Sequence, residues 1–334
     1  MPRQGRINIE GGIYHLIQRG LERREIFKDD KDREEFLRRL AVGLEHTGHK
    51  CYGWVLMPNH FHLLIRTGTK PLSDLMRKLL TGYALYFNKK YKRSGYLYQG
   101  RYKSILCQED EYLLELLRYI HLNPVRAKIV QDMKGLSKYK WSGHSVLLGN
   151  NEIKWQSTGE ILERFGKTKS EAIKKYEIFV SEAKDMSRRE DLTGGGLIRS
   201  AGGWIEVLKL QKAKARMMAD ERILGDGDFV SVVLKEAEEK MIRHNKLAKE
   251  GWTFEKLIEK VVEQYKIEKH ELLKKGRRNI ISEAKSVLAY YANKFLGVKT
   301  GEIAELFGCE RSAINRLIHL GEKVIASEPV KALF

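Results

Sequence analysis

The feature that most constrains this chain is an apolar run that contains two histidines. Residues 54–65 read Trp-Val-Leu-Met-Pro-Asn-His-Phe-His-Leu-Leu-Ile, a composition that predicts a β-strand. Side chains alternate along a strand, so His60 and His62 project from one face and Phe61 from the other. Two imidazoles on one rigid face form half of a metal site, which an oxygen or nitrogen ligand from elsewhere in the fold would complete.

The same pair is also compatible with a site that holds no metal. In that interpretation one ring is hydrogen-bonded to the backbone and the other ring lies in water. The choice between the two interpretations depends on the rest of the chain.

The charge balance points to a polyanionic partner. The 334 residues include 62 Lys and Arg against 44 Asp and Glu, a formal net charge of +18. A protein of this charge attracts polyanions by releasing their counterions, which makes nucleic acid the first candidate and an acidic membrane surface the second. The length allows two or three domains.

The cysteines and the hydropathy exclude several other classes. Cys51, Cys107 and Cys309 are far apart and lack paired spacing, so neither a disulfide framework nor a thiolate zinc site is expected. No apolar run approaches membrane-spanning length and no targeting segment is recognisable. These features predict a soluble protein of the reducing cytoplasm.

The first 125 residues alternate between strand and helix patterns. Strands are predicted over residues 12–19 and 102–106 and around His60, and helices over about 29–46, from a Ser73 cap through Phe87, and from an Asp110 cap to about residue 123. This order predicts an α+β fold.

Aromatic and basic residues alternate over residues 83–103. Rings beside cations suit single-stranded nucleic acid, and Arg101 and Lys103 are the predicted DNA contacts here. Tyr83 and Phe87 stand at helical spacing, which indicates core positions instead.

Beyond residue 150 the pattern is mainly helical. Gly-rich stretches at 194–196 and 202–203 lack a Walker-type Lys and are interpreted as hinges. Residues 300–317 have helix-turn-helix spacing, with the small Ala304, a turn at Gly308 and the apolar Ile314. The side chains predicted to face a DNA groove are Arg311, Ser312, Asn315, Arg316 and His319. A purely structural helical hairpin is the alternative.

A tyrosine and an asparagine complete the candidate site. Tyr119 and Asn123 are four residues apart and share one helix face, so a hydroxyl and an amide oxygen come as a pair. If that face packs towards the histidine pair, Asn123 supplies a third metal ligand and Tyr119 acts as a nucleophile. His121 is a rival ligand on the opposite side of the helix, and Tyr112, seven residues before Tyr119, is a rival nucleophile.

These motifs together resemble a known family. Residues 57–64, Met-Pro-Asn-His-Phe-His-Leu-Leu, and 118–127, Arg-Tyr-Ile-His-Leu-Asn-Pro-Val-Arg-Ala, resemble the single-tyrosine transposases, most closely the REP-associated branch. Residues 13–20 and 99–103 also look like that family, so the likeness covers about residues 5–145. Residues 282–322 separately resemble the helix-turn-helix domain of bacterial replication initiators.

The resemblance implies a fold and a chemistry. It implies a ferredoxin-like antiparallel sheet with packed helices, followed by an all-helical C-terminal half. His60, His62 and Asn123 would hold Mg²⁺ or Mn²⁺, although related transposases can carry Gln where Asn123 stands. Tyr119 would attack a phosphate of single-stranded, hairpin-forming DNA and form a 5′-phosphotyrosine. Arg19, Arg101, Lys103, Arg118 and Arg126 are the expected DNA contacts, and Arg118 or Arg126 would favour the phenolate.

The predicted organisation has three parts. Residues 1–150 form the catalytic domain, 151–274 a helical middle region, and 275–334 the helix-turn-helix domain, which could bind duplex DNA. A homodimer is possible. The predicted function is a metal-dependent transposase. A domesticated enzyme that nicks repeated palindromes and a catalytically inactive DNA-binding regulator are the alternatives.

Overall fold

The computed structural model describes residues 6–183, 220, 222–226, 228–235, 247, 250–273 and 280–327. The chain divides into two compact units, Met1–Val232 and Val233–Phe334. The Gly-rich stretches at 194–196 and 202–203, predicted as hinges, lie outside the described residues. None of the helices in the described ranges is long and apolar enough to cross a membrane.

The first unit is built on a five-stranded sheet with the order β2-β3-β1-β4-β5. Its strands are β1 (Ile13–Arg19), β2 (Lys50–Met57), β3 (His60–Arg66), β4 (Lys103–Cys107) and β5 (Ile223–Leu224). The first four strands pair antiparallel, and β1 lies between β3 and β4, which is the ferredoxin-like arrangement. The predicted α+β class is confirmed. One detail differs, because β5 pairs parallel with β4 and lies in the half predicted to be all helical.

Helices cover both faces of this sheet. The helices of the unit are α1 (Asp30–Thr47), α2 (Leu72–Lys90), α3 (Glu109–His121), α4 (Asn123–Arg126), α5 (Met133–Lys138), α6 (Gly143–Leu147), α7 (Gly159–Leu162) and α8 (Lys169–Ser181). On the first face, Phe61 of β3 contacts Phe36 of α1 at a ring-centroid distance of 4.7 Å. Tyr83 and Phe87 of α2 are fully buried, as predicted for core residues. The second face carries α3 and the shorter helices.

The apolar run at residues 54–65 is two strands instead of one. β2 ends at Met57 and β3 begins at His60, with a turn at Pro58 and Asn59 between them. Proline has no N–H for a strand ladder and favours a turn, which explains the break. Because both histidines fall in β3, they still project from the same face.

Two predicted helix caps are also wrong. α2 begins at Leu72 after Pro71, so Ser73 is already inside the helix. α3 begins at Glu109, one residue before Asp110. In the first case Pro71 takes the N-cap position with extended backbone angles, and the helix begins there without a side-chain cap.

The sheet domain continues beyond the predicted boundary at residue 150. Ile161, Tyr176 and Val180 are fully buried in the same core cluster as Leu117 and Ile120 of α3. Their apolar side chains cover the outer side of α3, so they form part of the first unit.

The second unit is helical in its described part. It contains α9 (Phe254–Tyr265), a 3-10 turn (Lys269–Leu273), α10 (Ile280–Lys294), α11 (Thr300–Phe307) and α12 (Arg311–Ser327). α9, which falls in the predicted middle region, shares one core with α10, α11 and α12.

Two glycines shape the C-terminal helices. Gly308 ends α11 in the left-handed conformation, with a φ of 59°. Gly321 lets α10 and α12 meet at the backbone, since a Cβ there would lie 2.1 Å from the Ser286 carbonyl oxygen. Ala304 and Ile314 are buried, so the turn and the apolar positions lie where the sequence spacing places them.

Candidate active site

The two histidines of β3 face the helix-covered side of the sheet that carries α3. Their ring centroids are 5.2 Å apart. The strand register sets His62 opposite Ile17 and His60 opposite Arg19 of β1. His62 is buried and His60 is half-buried. The geometry therefore presents both imidazoles at the end of β3 that adjoins the Pro58–Asn59 turn.

A third histidine supports the pair. The Nε2 atom of His15 on β1 lies 2.8 Å from Nδ1 of His62, and both rings are almost fully buried. His62 offers its Nε2 lone pair to a ligand when its Nδ1 donates to His15. His15 is not among the site residues predicted from the sequence. His15 and Ile17 are two residues apart on β1 and share one face of the sheet. Only the pairing of Ile17 with His62 shows that this face is the one that carries the histidine pair.

Both imidazoles of β3 are neutral at physiological pH. Burial lowers the pKa of His60 to about 4, and the nearby Arg19 acts in the same direction. Burial also lowers the pKa of His62 well below its usual value, with further contributions from His15, His60 and Arg19. Neutral imidazoles keep the lone pair that a cation needs.

Helix α3 brings Tyr119 to this group. The ring centroid of Tyr119 is 6.2 Å from that of His62 and 6.3 Å from that of His15. α3 lies close to β2 because Gly53 has no side chain: a Cβ there would lie 2.4 Å from Cδ1 of Leu117. The structure thus brings Tyr119 and the histidine pair together.

Of the two arginines that flank this segment, only Arg126 faces Tyr119. The Arg126 guanidinium, at the end of α4, lies 5.2 Å from the centroid of the Tyr119 ring. Arg118 is buried, pairs with Glu115 at 2.5 Å and stacks on Phe179 of α8 at 4.2 Å. Arg118 is therefore directed towards α8 and away from Tyr119, because successive helix residues are rotated by about 100°. Its predicted contact with DNA stays a prediction.

Asn123 lies just beyond the end of α3, as the first residue of α4. Its side-chain nitrogen donates to the carbonyl oxygens of Tyr119 at 2.9 Å and Ile120 at 3.2 Å. The amide nitrogen thus caps two carbonyl groups at the C-terminal end of α3. The amide oxygen is the atom of Asn123 that could coordinate a cation.

The two rival residues have other surroundings. His121 is fully buried, and its Nδ1 lies 2.7 Å from the hydroxyl of Tyr176, which also meets Nδ1 of His144 at 2.7 Å. This contact directs His121 towards α8. Tyr112 is half-buried and packs against the apolar core.

Three of the predicted DNA-binding cations lie at the same end of the sheet. Arg19 is exposed and stands opposite His60. Lys103 is exposed and pairs with Ile17 of β1, which pairs on its other side with His62 of β3. Arg101 is exposed two residues before β4 begins at Lys103. The strand pairing therefore sets Arg19 and Lys103 on the sheet face of the histidine pair.

The donor set suits a divalent cation that binds nitrogen and oxygen. His60 and His62 are neutral, and each has its Nδ1 atom in a hydrogen bond that leaves Nε2 for a ligand. Among the described residues, no three His, Cys, Asp or Glu side chains form a group that could hold a metal ion. The third ligand predicted from the sequence is the amide oxygen of Asn123, which stays a prediction.

The predicted DNA-binding residues of the C-terminal unit differ in solvent exposure. Arg311, Ser312, Arg316 and His319 of α12 are exposed, whereas Asn315 is half-buried. The guanidinium of Arg311 lies against Gly301 of α11.

Buried histidines also predict a pH dependence of stability. Burial lowers the pKa of His49 and His144 to about 4 and that of His121 well below its usual value. The unfolded chain takes up these protons below about pH 6.5 and the folded chain does not, so stability is lost as the pH falls from 6.5 towards 4. Each histidine contributes up to about 1.4 kcal/mol per pH unit there.

The check is urea unfolding of the metal-free protein between pH 7.5 and 5. His144→Gln is expected to reduce the slope of unfolding free energy against pH. Above pH 5 the carboxylates contribute little, because Asp and Glu ionise near pH 4 in the unfolded chain and are therefore mostly ionised in both states. A flat profile from pH 7 to 5 would contradict the prediction.

Comparison with known proteins adds an independent finding. Residues 8–123 match the model of a protein family described as "Transposase IS200 like". No curated protein matches the chain. A solved structure described as "Structure of the REP associates tyrosine transposase bound to a REP hairpin" aligns with 47% of this chain and 98% of its own, at 16% identity and a TM-score of 0.37. A likeness that low carries no argument about function.

The family match covers all four antiparallel strands of the sheet, both histidines of β3, and Tyr119 and Asn123. Residues 8–123 are therefore similar to the IS200-like transposases, and the resemblance indicated by the histidine and tyrosine motifs is confirmed over that range.

Proposed function

We propose that this protein is a metal-dependent transposase that cleaves and rejoins hairpin-forming single-stranded DNA through a 5′-phosphotyrosine intermediate. The observation that carries the proposal is the position of Tyr119 on α3. Its ring centroid is 6.2 Å from that of His62, on the sheet face against which α3 packs. A nucleophile beside a cation-binding pair is the arrangement that phosphodiester exchange requires. The match of residues 8–123 to a transposase family supports a DNA-cleaving activity.

In the proposed reaction the Tyr119 oxygen attacks phosphorus in line. The new bond joins this oxygen to phosphorus, and the bond from phosphorus to the 3′ oxygen breaks. The phenolic proton leaves Tyr119 to water, and the departing 3′ oxygen takes up a proton from water, so the step balances. The products are a 5′-phosphotyrosyl protein and a free 3′-hydroxyl. A second 3′-hydroxyl attacks the phosphotyrosine and restores Tyr119, so rejoining needs no external energy source.

The chain's own cations assist this step. Arg126, 5.2 Å from the Tyr119 ring, favours the phenolate electrostatically. The exposed Arg19 and Lys103 are placed to hold the phosphate oxygens. Tyr119 is almost buried, with 8% of its surface exposed, so its ring is held in place by its neighbours. A Mg²⁺ or Mn²⁺ ion held by His60, His62 and Asn123 would supply Lewis-acid polarisation of the phosphate and stabilise the leaving oxygen.

The direct test is adduct formation by the whole protein. The wild-type protein is incubated with labelled hairpin-forming single-stranded DNA and Mg²⁺ or Mn²⁺, and separated under denaturing conditions. A protein–DNA adduct that resists denaturation is expected. A regulator with an inactive catalytic face would bind the DNA and give no adduct, and a nickase without strand transfer would give the adduct without joined products.

The exposed cations of α12 favour duplex DNA binding as a second activity of the same chain. Arg311 and Arg316 are exposed on the helix that follows the Gly308 turn. Each phosphate contact contributes about 0.9 to the slope of log affinity against log salt concentration. Arg311→Ala with Arg316→Ala is therefore expected to reduce that slope by about 2, measured by fluorescence anisotropy on duplex DNA.

A matched control removes two cations elsewhere in the same unit. Lys256→Ala with Lys260→Ala on α9 makes the same change in net charge at exposed positions. This control should leave the salt slope unchanged. If both double variants lower the slope equally, α12 has no special role in DNA binding.

A further inference from the structure

Asn59, in the turn between β2 and β3, contacts both a candidate metal ligand and a neighbouring turn. Its side-chain nitrogen donates to the carbonyl oxygen of Arg23 at 3.0 Å. Its side-chain oxygen lies 2.6 Å from Nδ1 of His60. Its backbone carbonyl accepts from the N–H of Gly20 at 2.9 Å. Asn59 is thus held at three points.

These contacts define the protonation of the His60 ring. The Arg23 carbonyl can only accept, so the amide nitrogen of Asn59 must face it and the amide oxygen must face His60. An amide oxygen also only accepts, so Nδ1 of His60 has to carry the proton. The lone pair of the neutral ring then resides on Nε2.

The turn that fixes Asn59 is itself unusual. Glu22 and Arg23 both adopt left-handed backbone angles, with φ of 53° and 61°, although neither is glycine. The N–H groups of Ile26 and Phe27 also bond to the Pro58 carbonyl, so this turn is fastened to the β2–β3 turn along its length. The orientation of the Asn59 amide is therefore built into the fold before any ligand arrives.

We infer that Asn59 is a positioning residue, which holds His60 in the tautomer with its Nε2 lone pair available to a divalent cation. The inference rests on the proposed function for the identity of the ligand, but its first consequence concerns the protein alone. Groups that hold the second nitrogen of a ligating imidazole commonly change metal affinity by 10- to 100-fold, on the order observed when such partners are removed.

The test uses the full-length protein at pH 8 and two measurements. Long-range ¹H–¹⁵N correlation spectra of the metal-free protein report which ring nitrogen of His60 carries the proton. Titration with Mn²⁺, followed by electron paramagnetic resonance of the free ion, reports metal affinity. In the wild type we expect the proton on Nδ1. In Asn59→Ala we expect the His60 proton to redistribute to Nε2 and Mn²⁺ affinity to fall by about 10- to 100-fold.

Two further variants separate positioning of His60 from support of the turn. Asn59→Asp keeps an acceptor for His60 but loses the donor to Arg23, so it should restore the Nδ1 proton and the Mn²⁺ affinity. Asn88→Ala removes another asparagine that donates to the carbonyl of a turn residue, Gly95, at 2.9 Å, and should leave both measurements unchanged.

The outcomes distinguish this inference from the proposed function. The inference is overturned if His60 keeps its Nδ1 proton in Asn59→Ala, if that variant binds Mn²⁺ as the wild type does, or if Asn59→Asp fails to restore both. A wild-type protein that shows the expected tautomer but binds no Mn²⁺ and forms no DNA adduct would overturn the proposed function and the metal role of Asn59, while the hydrogen bond itself would stand.

Discussion

Tyr119→Phe is expected to reduce adduct formation with single-stranded DNA by at least about a thousandfold, because it removes the oxygen that attacks phosphorus. The variant retains the ring, and with it the packing against His62, His15 and Arg126. Folding and DNA affinity should therefore be unchanged, which separates loss of chemistry from loss of structure. The measurement is the fraction of protein that runs as a DNA adduct under denaturing conditions.

The position of the label on the DNA tests the direction of attack. A 5′-phosphotyrosine keeps the segment downstream of the cleaved bond on the protein, so 3′-labelled DNA should label the adduct. The 5′-labelled DNA should instead yield a shorter free strand that ends in a 3′-hydroxyl. The opposite result would assign a 3′-linked intermediate and contradict the proposed chemistry.

Tyr112→Phe is the matched control for the nucleophile. It makes the same chemical change on the same helix, at a half-buried residue that packs against the core. This variant should form the adduct at the wild-type level. If Tyr112→Phe abolishes the adduct and Tyr119→Phe does not, the nucleophile is assigned to the wrong tyrosine.

His60→Ala combined with His62→Ala is expected to lower Mg²⁺- or Mn²⁺-dependent cleavage by about a thousandfold. Lewis-acid stabilisation at a phosphate contributes several kcal/mol to the transition state, and about 4 kcal/mol corresponds to this factor. Binding of the hairpin depends mainly on the surrounding cations, such as Arg19 and Lys103, and should largely remain. Single-turnover cleavage rates and DNA affinities are measured for both proteins.

A second double variant controls for the loss of two imidazoles. His46 and His270 are exposed and lie on α1 and on the 3-10 turn of the second unit. His46→Ala with His270→Ala should cleave at the wild-type rate. Full cleavage by the His60→Ala/His62→Ala protein would remove the metal hypothesis.

Much of the fold could be predicted from local pattern. The apolar spacing places β1, α1, β4 and α3 within a few residues of their observed bounds, because these elements bury one face and their sequences carry the matching period. Errors are concentrated at element ends. Pro58 and Pro71 decide where a strand ends and a helix begins, and this local effect is not visible in the apolar pattern.

The site was only partly predictable, since its members come from different parts of the chain. His60 and His62 share a face by strand geometry alone. His15 joins them through the β1–β3 register, which sequence spacing does not reveal. Either Arg118 or Arg126 was predicted to favour the phenolate, yet Arg118 packs on α8 and Arg126 faces Tyr119, because α8 contributes the Phe179 ring and carbonyl that hold Arg118.

By itself the sequence determined the alternation of strands and helices, the shared face of His60 and His62, and the charge that selects a polyanion, since these follow from periodicity and composition. Only the tertiary structure decided which residues contact the two histidines. The Tyr119 ring of α3 lies beside His62, His15 contacts Nδ1 of His62, and Asn59 contacts Nδ1 of His60. The contacts of Tyr119 and His15 with His62 join residues distant in sequence, and they depend on strand register and on the close approach of α3 at Gly53. Asn59 and His60 are neighbours in sequence, but the orientation of the Asn59 amide depends on the distant left-handed turn at Glu22 and Arg23. Short-range periodicity carries no information about such long-range packing.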